Sequence, residues 1–334
     1  MRQLISSQPF LLSVRDLHTQ FFTYDGVVKA VSGVSFDIES SESLALVGET
    51  GCGKSVTAYS ILRLIESPGR IVKGEVLFKG EDLLTKSEEE MRTIRGNRIS
   101  MIFQEPMTSL NPVFTVRDQL SAVAIHHGRM KRKEAIREAV ESLRRVRIPD
   151  PERVARQYPH ELSGGMRQRV LIAIALSLSP ELIICDEPTT FLDVTVQAQV
   201  LDLIKELQRK VKASMLLITH NLGVVAHYSD RVAVMYAGSI VEIADVETIF
   251  EDPRHPYVQG LLRAIPIMSR STERVESIPG SVPNLIDPPR GCRFHPRCSR
   301  MMPVCKEKMP KLLEVGGGHF VACHLYSGGA IGGK

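Results

Sequence analysis

The sequence has no apolar run long enough to cross a membrane and no strong charge of one sign. Its longest apolar stretch, residues 170–178, is about half of the roughly 18 residues that a membrane-spanning helix needs. The residues after Met1 lack the long apolar core of a signal peptide. The net charge is only +4, without a long basic run, so nothing favours a nucleic-acid partner. We therefore expect a cytosolic protein that reaches a membrane only through a partner.

Internal repeats and low-complexity tracts are also absent, which argues against a repeat architecture. A hydrophobic content of 43% is that of a globular protein, and 334 residues can hold one large domain and a smaller one. Up to about residue 250, continuous apolar runs such as 182–185 and 215–218 alternate with amphipathic helical patterns such as 134–145 and 200–211. Such runs predict central strands of an α/β sheet that is covered on both faces.

Two regions depart from this alternation. Residues 28–38 carry apolar side chains at a period near two or three, which predicts antiparallel strands. After about residue 250, Pro, Cys, Gly and Arg become frequent. This change in composition predicts two domains, at 1–250 and 251–334.

The strongest motif is G-x-x-x-x-G-K-S, which directly follows the apolar residues 44–47. A strand that leads into a glycine-rich loop and then a helix is the context in which this pattern binds nucleotide phosphates. The glycines let the backbone wrap around the phosphates, and Lys54 and Ser55 are expected to contact phosphate and Mg²⁺. The predicted nucleotide-binding residues of this segment are Gly48, Glu49, Thr50, Gly51, Cys52, Gly53, Lys54, Ser55 and Val56.

Polar side chains follow three other predicted strands. The run 182–185 leads into Asp186 and Glu187, which we assign to Mg²⁺ and to the attacking water. His220 follows the run 215–218 and Thr219, where it can hydrogen-bond the γ-phosphate. Gln104 follows the apolar residues before it and is a candidate sensor of Mg²⁺ or the water, with an ordinary surface glutamine as the alternative.

The sequence LSGGMRQR predicts a second anion-binding helix start. Ser163 is a good N-cap, and Gly164 and Gly165 leave backbone amides uncovered. This segment lies far in sequence from the phosphate loop. We therefore expect it to contact a nucleotide that is bound to another subunit.

Together, GETGCGKS, Gln104, LSGGMRQR, LIICDE and His220, in this order and spacing, resemble the ATPase subunits of ABC transporters over about residues 10–250. The resemblance implies an α/β ABC-type P-loop fold with a RecA-like core, an antiparallel β subdomain and an α-helical subdomain at about 105–165. It also implies two ATPase domains that meet head to tail, with each ATP between the phosphate loop of one and the LSGG segment of the other.

Residue roles follow from the same resemblance. Glu187 becomes the catalytic carboxylate and His220 the switch histidine, with Gln104 as a further catalytic and Mg²⁺-binding residue. Asp193 is retained in the loop at the dimer contact, where Phe191 replaces a usually small residue. The aromatic side chain that stacks on adenine is expected to be Tyr24, with Phe22 as the alternative, and Ser41 replaces a usual glycine before the first core strand.

Residues 104–112, 158–162 and 255–262 are similar to those of dipeptide and oligopeptide importers, with nickel importers as the alternative. The resemblance implies a second, paralogous ATPase subunit (or a second copy), two membrane permeases and an extracytoplasmic solute-binding protein. It places the chain peripherally at the cytoplasmic face of the cell membrane. The segment from Gln104 to about Val116 should dock a permease helix. A non-transport ABC ATPase regulated by a metal cluster is a further alternative.

Four of the six cysteines, Cys292, Cys298, Cys305 and Cys323, crowd into the C-terminal region, whereas Cys185 is expected in the core. In a cytosolic protein, clustered cysteines favour metal over disulfides, and a metal would stabilise such a loop-rich segment. Their spacing does not separate zinc from an iron–sulfur cluster. Candidate additional zinc ligands are His295, His319 and His324.

The sequences at 291–298 and 322–324 resemble those of dipeptide-importer ATPases that carry a [4Fe-4S] cluster. The resemblance implies that the four C-terminal thiolates hold such a cluster in a small metal-cluster domain, with zinc as the second choice.

Overall fold

The computed structural model describes residues 10–105, 109–190, 192–264 and 278–327. The chain forms two compact units. The first combines the residues up to Ile38, Ser43–Leu84 and the residues from Ile218 onward. The second combines Glu39–Glu42 with Thr85–Leu217.

Within the described residues, the strands are β1 (Leu12–Thr23), β2 (Gly26–Ile38), β3 (Ser43–Val47), β4 (Gly69–Phe78), β5 (Glu81–Asp82), β6 (Ile99–Ile102), β7 (Leu182–Asp186), β8 (Ser214–Thr219), β9 (Arg231–Tyr236), β10 (Ser239–Asp245), β11 (Leu313–Gly316) and β12 (His319–Val321). The α-helices are α1 (Lys54–Ile61), α2 (Glu88–Ile94), α3 (Val116–His126), α4 (Arg132–Arg145), α5 (Pro151–Val154), α6 (Gly164–Leu176), α7 (Val194–Val211), α8 (Leu222–Tyr228), α9 (Val246–Glu251), α10 (Pro256–Arg263) and α11 (Val304–Glu307). Short 3₁₀ turns cover Pro159–Glu161, His295–Arg297 and His324–Tyr326.

The first unit contains an antiparallel sheet with the strand order β2-β1-β4-β5. β1 and β2 form a hairpin that is paired from Leu12 opposite Ile38 to Thr23 opposite Gly26. The antiparallel strands predicted around residues 28–38 are therefore confirmed. Alternation of buried and exposed positions along β2 explains the short apolar period that is visible in the sequence.

A second set of strands in this unit has the order β11-β12-β10-β9-β3. β3, which is buried along its whole length, runs parallel to β9, as its continuous apolar sequence predicts. The C-terminal strand β12 pairs with β10, so residues near the end of the chain extend this sheet. The core of the unit also includes Tyr257 and Phe294, which pack with Val47 and Val234 of the strands. The division at residue 250 stays a prediction.

The buried carboxylate of Glu242 joins three segments of the first unit. It accepts hydrogen bonds from the backbone N–H groups of Arg254 (2.8 Å) and His255 (2.7 Å), and the Nε2 atom of His319 lies 2.7 Å from Oε1. A buried carboxylate is costly unless such partners surround it. Glu242 therefore fixes β12 and the start of α10 against β10.

In the second unit, β6 runs parallel to β7 in the order β8-β7-β6, and α3, α4 and α6 pack against one another. The helix predicted over 134–145 is α4, and the pattern at 200–211 is the later part of α7. α7 begins earlier than its apolar stripe because Asp193 caps it, with its Oδ1 atom accepting from the Val196 N–H at 3.0 Å.

Candidate active site

The glycine loop connects β3, which ends at Val47, to α1, which begins at Lys54. Gly48 has φ +156°, and a Cβ atom there would lie 2.1 Å from the carbonyl oxygen of Met235. Gly53 has φ +103°, and a Cβ atom there would lie 2.3 Å from the carbonyl oxygen of Ala30. Both positions therefore require glycine. The predicted strand–loop–helix context of the phosphate motif is confirmed.

Lys54 closes this loop. Its buried ammonium group donates to the carbonyl oxygens of Gly48 at 2.8 Å and Glu49 at 3.1 Å, so the side chain spans the loop from its helical end to its strand end. Ser55 lies in the first turn of α1, and the following amides point toward the helix N-terminus. Cys52 is buried, and burial raises the pKa of its thiol. A cation beside uncovered amides is suited to a phosphate chain.

Glu49 connects the loop to residues after 250 that the sequence interpretation did not assign to this site. Its backbone N–H donates to the Tyr257 hydroxyl at 3.1 Å. Its carboxylate accepts two hydrogen bonds from Arg297, at 2.7 Å and 3.1 Å. This carboxylate raises the pKa of the Arg297 guanidinium. Tyr257 lies in the segment 255–262 and Arg297 in the segment 291–298, and the resemblance of these segments to importer ATPases is the sequence signal that points to them.

The second unit holds two of the three predicted catalytic residues in contact. The Gln104 amide donates to the Glu187 carboxylate, with Nε2 and Oε2 3.2 Å apart, and the Thr190 hydroxyl donates to the same oxygen at 2.9 Å. Glu187 has φ +44° and directly follows Asp186, the fully buried last residue of β7. The abrupt turn separates the two acidic side chains, so each can serve a different role. Those roles stay predictions.

The LSGG segment starts α6 as expected. The Ser163 Oγ atom accepts from the Met166 N–H at 3.3 Å, which makes Ser163 the N-cap. A Cβ atom on Gly165 would lie 3.3 Å from the side chain of Val196, in the first turn of α7. The absence of a side chain at Gly165 therefore lets the start of α7, which Asp193 caps, approach the start of α6. This close approach places Asp193 beside the predicted anion-binding helix start.

The remaining candidates lie in the first unit. His220 is exposed just after β8. Tyr24 is fully exposed in the turn between β1 and β2, whereas the ring of Phe22 has the guanidinium of Arg70 5.8 Å from its centroid. Exposure is compatible with stacking on a base, and the adenine contact stays a prediction for either residue.

The turn before β3 contains Ser41. Ser41 adopts φ +65°, a left-handed conformation that favours glycine, and its N–H donates to the Ser214 hydroxyl at 2.8 Å. Phe191 lies outside the described residues, as do Pro106, Met107 and Thr108 of the segment after Gln104. Among the described residues, no helix combines the length and apolarity needed to cross a bilayer.

The C-terminal cysteines lie near one another. Burial raises the pKa of the Cys292 thiol to about 11, and the charges of Cys305, Cys323 and Cys298 add to this rise. The Cys292 N–H also donates to the carbonyl oxygen of Cys305 at 2.8 Å. Four thiols form a donor set that is suited to zinc or iron. Yet across the part of the chain that the structure describes, no three His, Cys, Asp or Glu side chains are arranged to hold a metal ion. The expected metal-cluster domain therefore has no support from the geometry.

The three histidines named as possible zinc ligands have other contacts. His319 lies against Glu242, His324 lies 2.8 Å from the carbonyl oxygen of Lys308, and His295 lies 3.0 Å from that of Cys292. Cys185 is fully buried, and burial raises the pKa of its thiol to about 12, which confirms it as an inert core residue.

Comparison with known proteins identifies the family of this chain. The family model described as ABC transporter matches residues 31–190, and the model for the C-terminal region of oligopeptide/dipeptide transporters matches residues 241–305. A Sinorhizobium fredii protein named as a probable peptide ABC transporter ATP-binding protein is 54% identical, with 94% of each chain covered. The oligopeptide transport ATP-binding protein AppD of Bacillus subtilis is 51% identical, covering 95% of this chain and 97% of that protein. The dipeptide transport ATP-binding protein DppD of Bacillus subtilis is 50% identical, with 94% of each chain covered.

Solved structures share the fold. The dimeric ATP-binding cassette MJ0796, in a post-hydrolysis state bound to ADP and Pi, has a TM-score of 0.63 and 25% identity, covering 70% of this chain and 98% of that chain. The cbiO1 protein of Clostridium perfringens, part of the cbiONQ complex, has a TM-score of 0.61 and 25% identity, covering 73% and 92%. Fold and loop together define an α/β P-loop ATPase. The chain belongs to the family of ABC transporter ATP-binding proteins.

Proposed function

We propose that this chain is the ATP-hydrolysing subunit that powers the uptake of dipeptides or oligopeptides through an ABC importer. The observation that carries the proposal is the phosphate loop. Its buried Lys54 donates to the Gly48 carbonyl oxygen, and Gly48 and Gly53 lie too close to neighbouring carbonyl oxygens to carry a side chain. Relatives that are 50–54% identical over nearly the whole chain bear names of peptide, oligopeptide and dipeptide transport ATP-binding proteins. These names favour a peptide over nickel as the solute.

ATP is expected to bind between two ATPase domains that meet head to tail. The phosphate loop of one domain and the amides at Ser163, Gly164 and Gly165 of the other would hold one nucleotide. The capped, glycine-opened start of α6 supports this arrangement, and so does the dimeric state of the cassette MJ0796. The companion would be a paralogous ATPase subunit or a second copy. Closure around ATP would move the permeases, and hydrolysis would reopen the dimer.

Within this site, the oxygen atoms of Ser55, Asp186 and Gln104 are proposed to hold Mg²⁺, which prefers such ligands and would neutralise phosphate charge. The burial of Asp186 supports its part, since a buried carboxylate is suited to a cation. Glu187 would accept a proton from the attacking water, and His220 would donate to the γ-phosphate. Asp193 would contact the facing domain, and Tyr24 would stack on adenine.

The partners are proposed to be two membrane permeases and an extracytoplasmic solute-binding protein, with the chain peripheral at the cytoplasmic membrane face. Val113 and Phe114 support docking of a permease at the segment from Gln104 to about Val116, because their side chains are 71% and 53% exposed. Contiguous exposed apolar side chains are a feature of protein–protein interaction surfaces.

Transport in reconstituted vesicles tests this function. The chain is combined with its companion ATPase, the permeases and the solute-binding protein, and accumulation of labelled dipeptide and oligopeptide is measured. We expect uptake that requires ATP and is lost with Glu187→Gln. Peptide accumulation that is independent of ATP would contradict the proposal. So would an ATPase rate of the isolated chain that is unchanged on dilution, because a single chain then contains the whole site.

We also propose that Cys292, Cys298, Cys305 and Cys323 bind a [4Fe-4S] cluster. The proposal rests on the resemblance at residues 291–298 and 322–324 and on the hydrogen bond of 2.8 Å from the Cys292 N–H to the carbonyl oxygen of Cys305. Anaerobically purified protein is analysed for iron and acid-labile sulfide. About four of each per chain are expected. Zinc instead, or no metal, would overturn the proposal.

A further inference from the structure

Arg297 lies in the C-terminal region, yet its side chain ends at the phosphate loop. Its guanidinium forms a bidentate pair with Glu49, in which Nη1 lies 2.7 Å from Oε2 and Nη2 lies 3.1 Å from Oε1. The Arg297 side chain is only 6% exposed, against 27% for Glu49. Bidentate arginine–carboxylate pairs combine charge with a fixed direction, so this pair defines where Glu49 lies.

Arg297 also makes contacts with residues other than Glu49. Its Nε atom donates to the carbonyl oxygen of Pro279 at 2.8 Å, and Nη2 lies 3.4 Å from that of Ile278. Its guanidinium carbon lies 5.8 Å from the ring centroid of Tyr236, whose hydroxyl accepts from Nη1 at 3.4 Å. A side chain fixed by so many contacts loses no further rotamer freedom when it binds Glu49.

The aromatic side chains beneath the loop add a second fixed point. The ring of Tyr236 packs on those of Tyr257 and Phe294, with centroid distances of 4.7 Å and 5.1 Å. The Tyr257 hydroxyl accepts from the backbone N–H of Glu49 at 3.1 Å. The backbone and the side chain of Glu49 are thus both held by residues after 250.

Glu49 in turn touches Lys54, whose ammonium group donates to the Glu49 carbonyl oxygen at 3.1 Å. A shift of Glu49 would therefore move the lysine that is proposed to bind phosphate. Arg297 lies in the C-terminal region matched over 241–305, outside the ABC transporter match at 31–190.

We propose that Arg297 is a positioning residue of the phosphate loop: through Glu49 it holds the loop and Lys54 in the conformation that binds ATP. The C-terminal region then determines nucleotide affinity without touching the nucleotide. This inference rests on the proposed function, since it requires the loop to bind ATP.

A double-mutant cycle on the full chain tests the proposal. Arg297→Met removes the charge and the donors but keeps an apolar stem, and Glu49→Ala removes the carboxylate. ATP affinity is measured by equilibrium binding. We expect each single variant to bind ATP about tenfold more weakly. Residues in contact have interaction energies of about 0.5–3 kcal/mol, and a tenfold change corresponds to about 1.4 kcal/mol. The double variant should be no weaker than the weaker single variant. Additive losses would overturn the proposal, because Arg297 would then not act through Glu49.

The KM and kcat values for ATP, measured with the companion subunit, separate positioning from a general loss of structure. A positioning role predicts a raised KM with kcat changed by less than about twofold at saturating ATP. Arg297→Lys, which keeps the charge, should recover part of the affinity. If Arg297→Met lowers the folded fraction, Glu49→Ala in the otherwise unchanged chain must still show the loss, or the proposal fails.

Two controls keep this inference distinct from the proposed function. Arg300→Met changes an exposed arginine of the same segment and should bind ATP as the unchanged chain does. Lys54→Ala reports on the loop itself. If Lys54→Ala leaves ATP affinity unchanged, the nucleotide assignment fails. If it weakens ATP binding while Arg297→Met does not, only the positioning role of Arg297 is overturned.

Discussion

The side-chain amide of Gln104 donates a hydrogen bond to the carboxylate of Glu187, with Nε2 and Oε2 3.2 Å apart. These residues are 83 positions apart in the sequence, yet both were assigned to the water and Mg²⁺ from their positions after predicted strands. The parallel pairing of β6 and β7 explains the contact, because the carboxyl ends of parallel strands meet at one edge of a sheet. Gln104 is therefore placed to respond to any movement of Glu187.

Glu187→Gln should nearly abolish hydrolysis while ATP binding is kept. The amide preserves the shape of the side chain and its contact with Gln104, but it cannot accept a proton from water. Loss of a general base costs about 10²–10⁴-fold in rate. Phosphate release is measured with the companion subunit present, beside direct ATP binding. Glu206→Gln, an exposed change on α7, is the matched control and should hydrolyse ATP normally. Unchanged turnover of Glu187→Gln would remove Glu187 from its role.

Lys54→Ala should weaken the binding of ATP, the step that precedes hydrolysis. The ammonium group lies in the loop, and charge-assisted hydrogen bonds contribute about 1.5–3 kcal/mol, so the dissociation constant should rise at least about tenfold. Lys210→Ala removes an exposed lysine that pairs with Glu206 and should leave affinity unchanged. If titration with ATP finds equal affinity for Lys54→Ala and the unchanged chain, the phosphate assignment of Lys54 is wrong.

Local features of the fold could be predicted because neighbouring residues determine them. The strand–loop–helix at the glycine loop and the N-cap at Ser163 follow from residues within a few positions of each other. The pairing of Arg297 with Glu49 joins residues 248 positions apart, and no periodicity in the sequence encodes it. The contact of His319 with Glu242 spans 77 positions in the same way. What brings these pairs together is the packing of the C-terminal region on the core of the first unit.

The C-terminal cysteines show a different limit of sequence reasoning. Four clustered cysteines predict that thiols will gather, and the hydrogen bond of 2.8 Å from the Cys292 N–H to the carbonyl oxygen of Cys305 agrees with it. Cysteine spacing does not determine how the sulfur atoms are directed, and ligand geometry depends on those directions. The cluster itself therefore stays a prediction.

Two glycines of the phosphate loop should differ in their response to alanine. Gly51 has φ +81°, but a Cβ atom there meets nothing within 4 Å. Gly51→Ala should therefore lower the free energy of unfolding only by the strain of a left-handed alanine, about 1–2 kcal/mol. Gly48→Ala adds a contact of 2.1 Å with the Met235 carbonyl oxygen, and such overpacking costs about 1–3 kcal/mol more. Thermal unfolding should thus show the larger loss for Gly48→Ala. Equal losses would mean that the loop can move away from β9.

His255 should make the stability of the fold depend on pH. The side chain is 1% exposed and caps α10, with Nδ1 accepting from the Tyr257 N–H at 3.1 Å. Burial lowers the pKa of His255 to about 3. Because this value lies below that of the unfolded chain, about 6.5, the unfolded state takes up a proton first as the pH falls. Above pH 6.5 the imidazole is neutral in both states and does not change the free energy of unfolding. Below pH 6.5 the free energy of unfolding decreases as the pH falls.

His255→Asn isolates this effect, since asparagine can cap a helix but does not titrate. Unfolding by urea is measured for both proteins between pH 7 and pH 5. The decrease has a slope of up to about 1.4 kcal/mol per pH unit, so the original chain should lose about 2 kcal/mol more than the variant between pH 7 and pH 5. All other histidines are common to both proteins, and their contributions cancel in the difference. Parallel curves would show that His255 is protonated in the folded chain, which requires water or a carboxylate at Nδ1 in place of the Tyr257 amide.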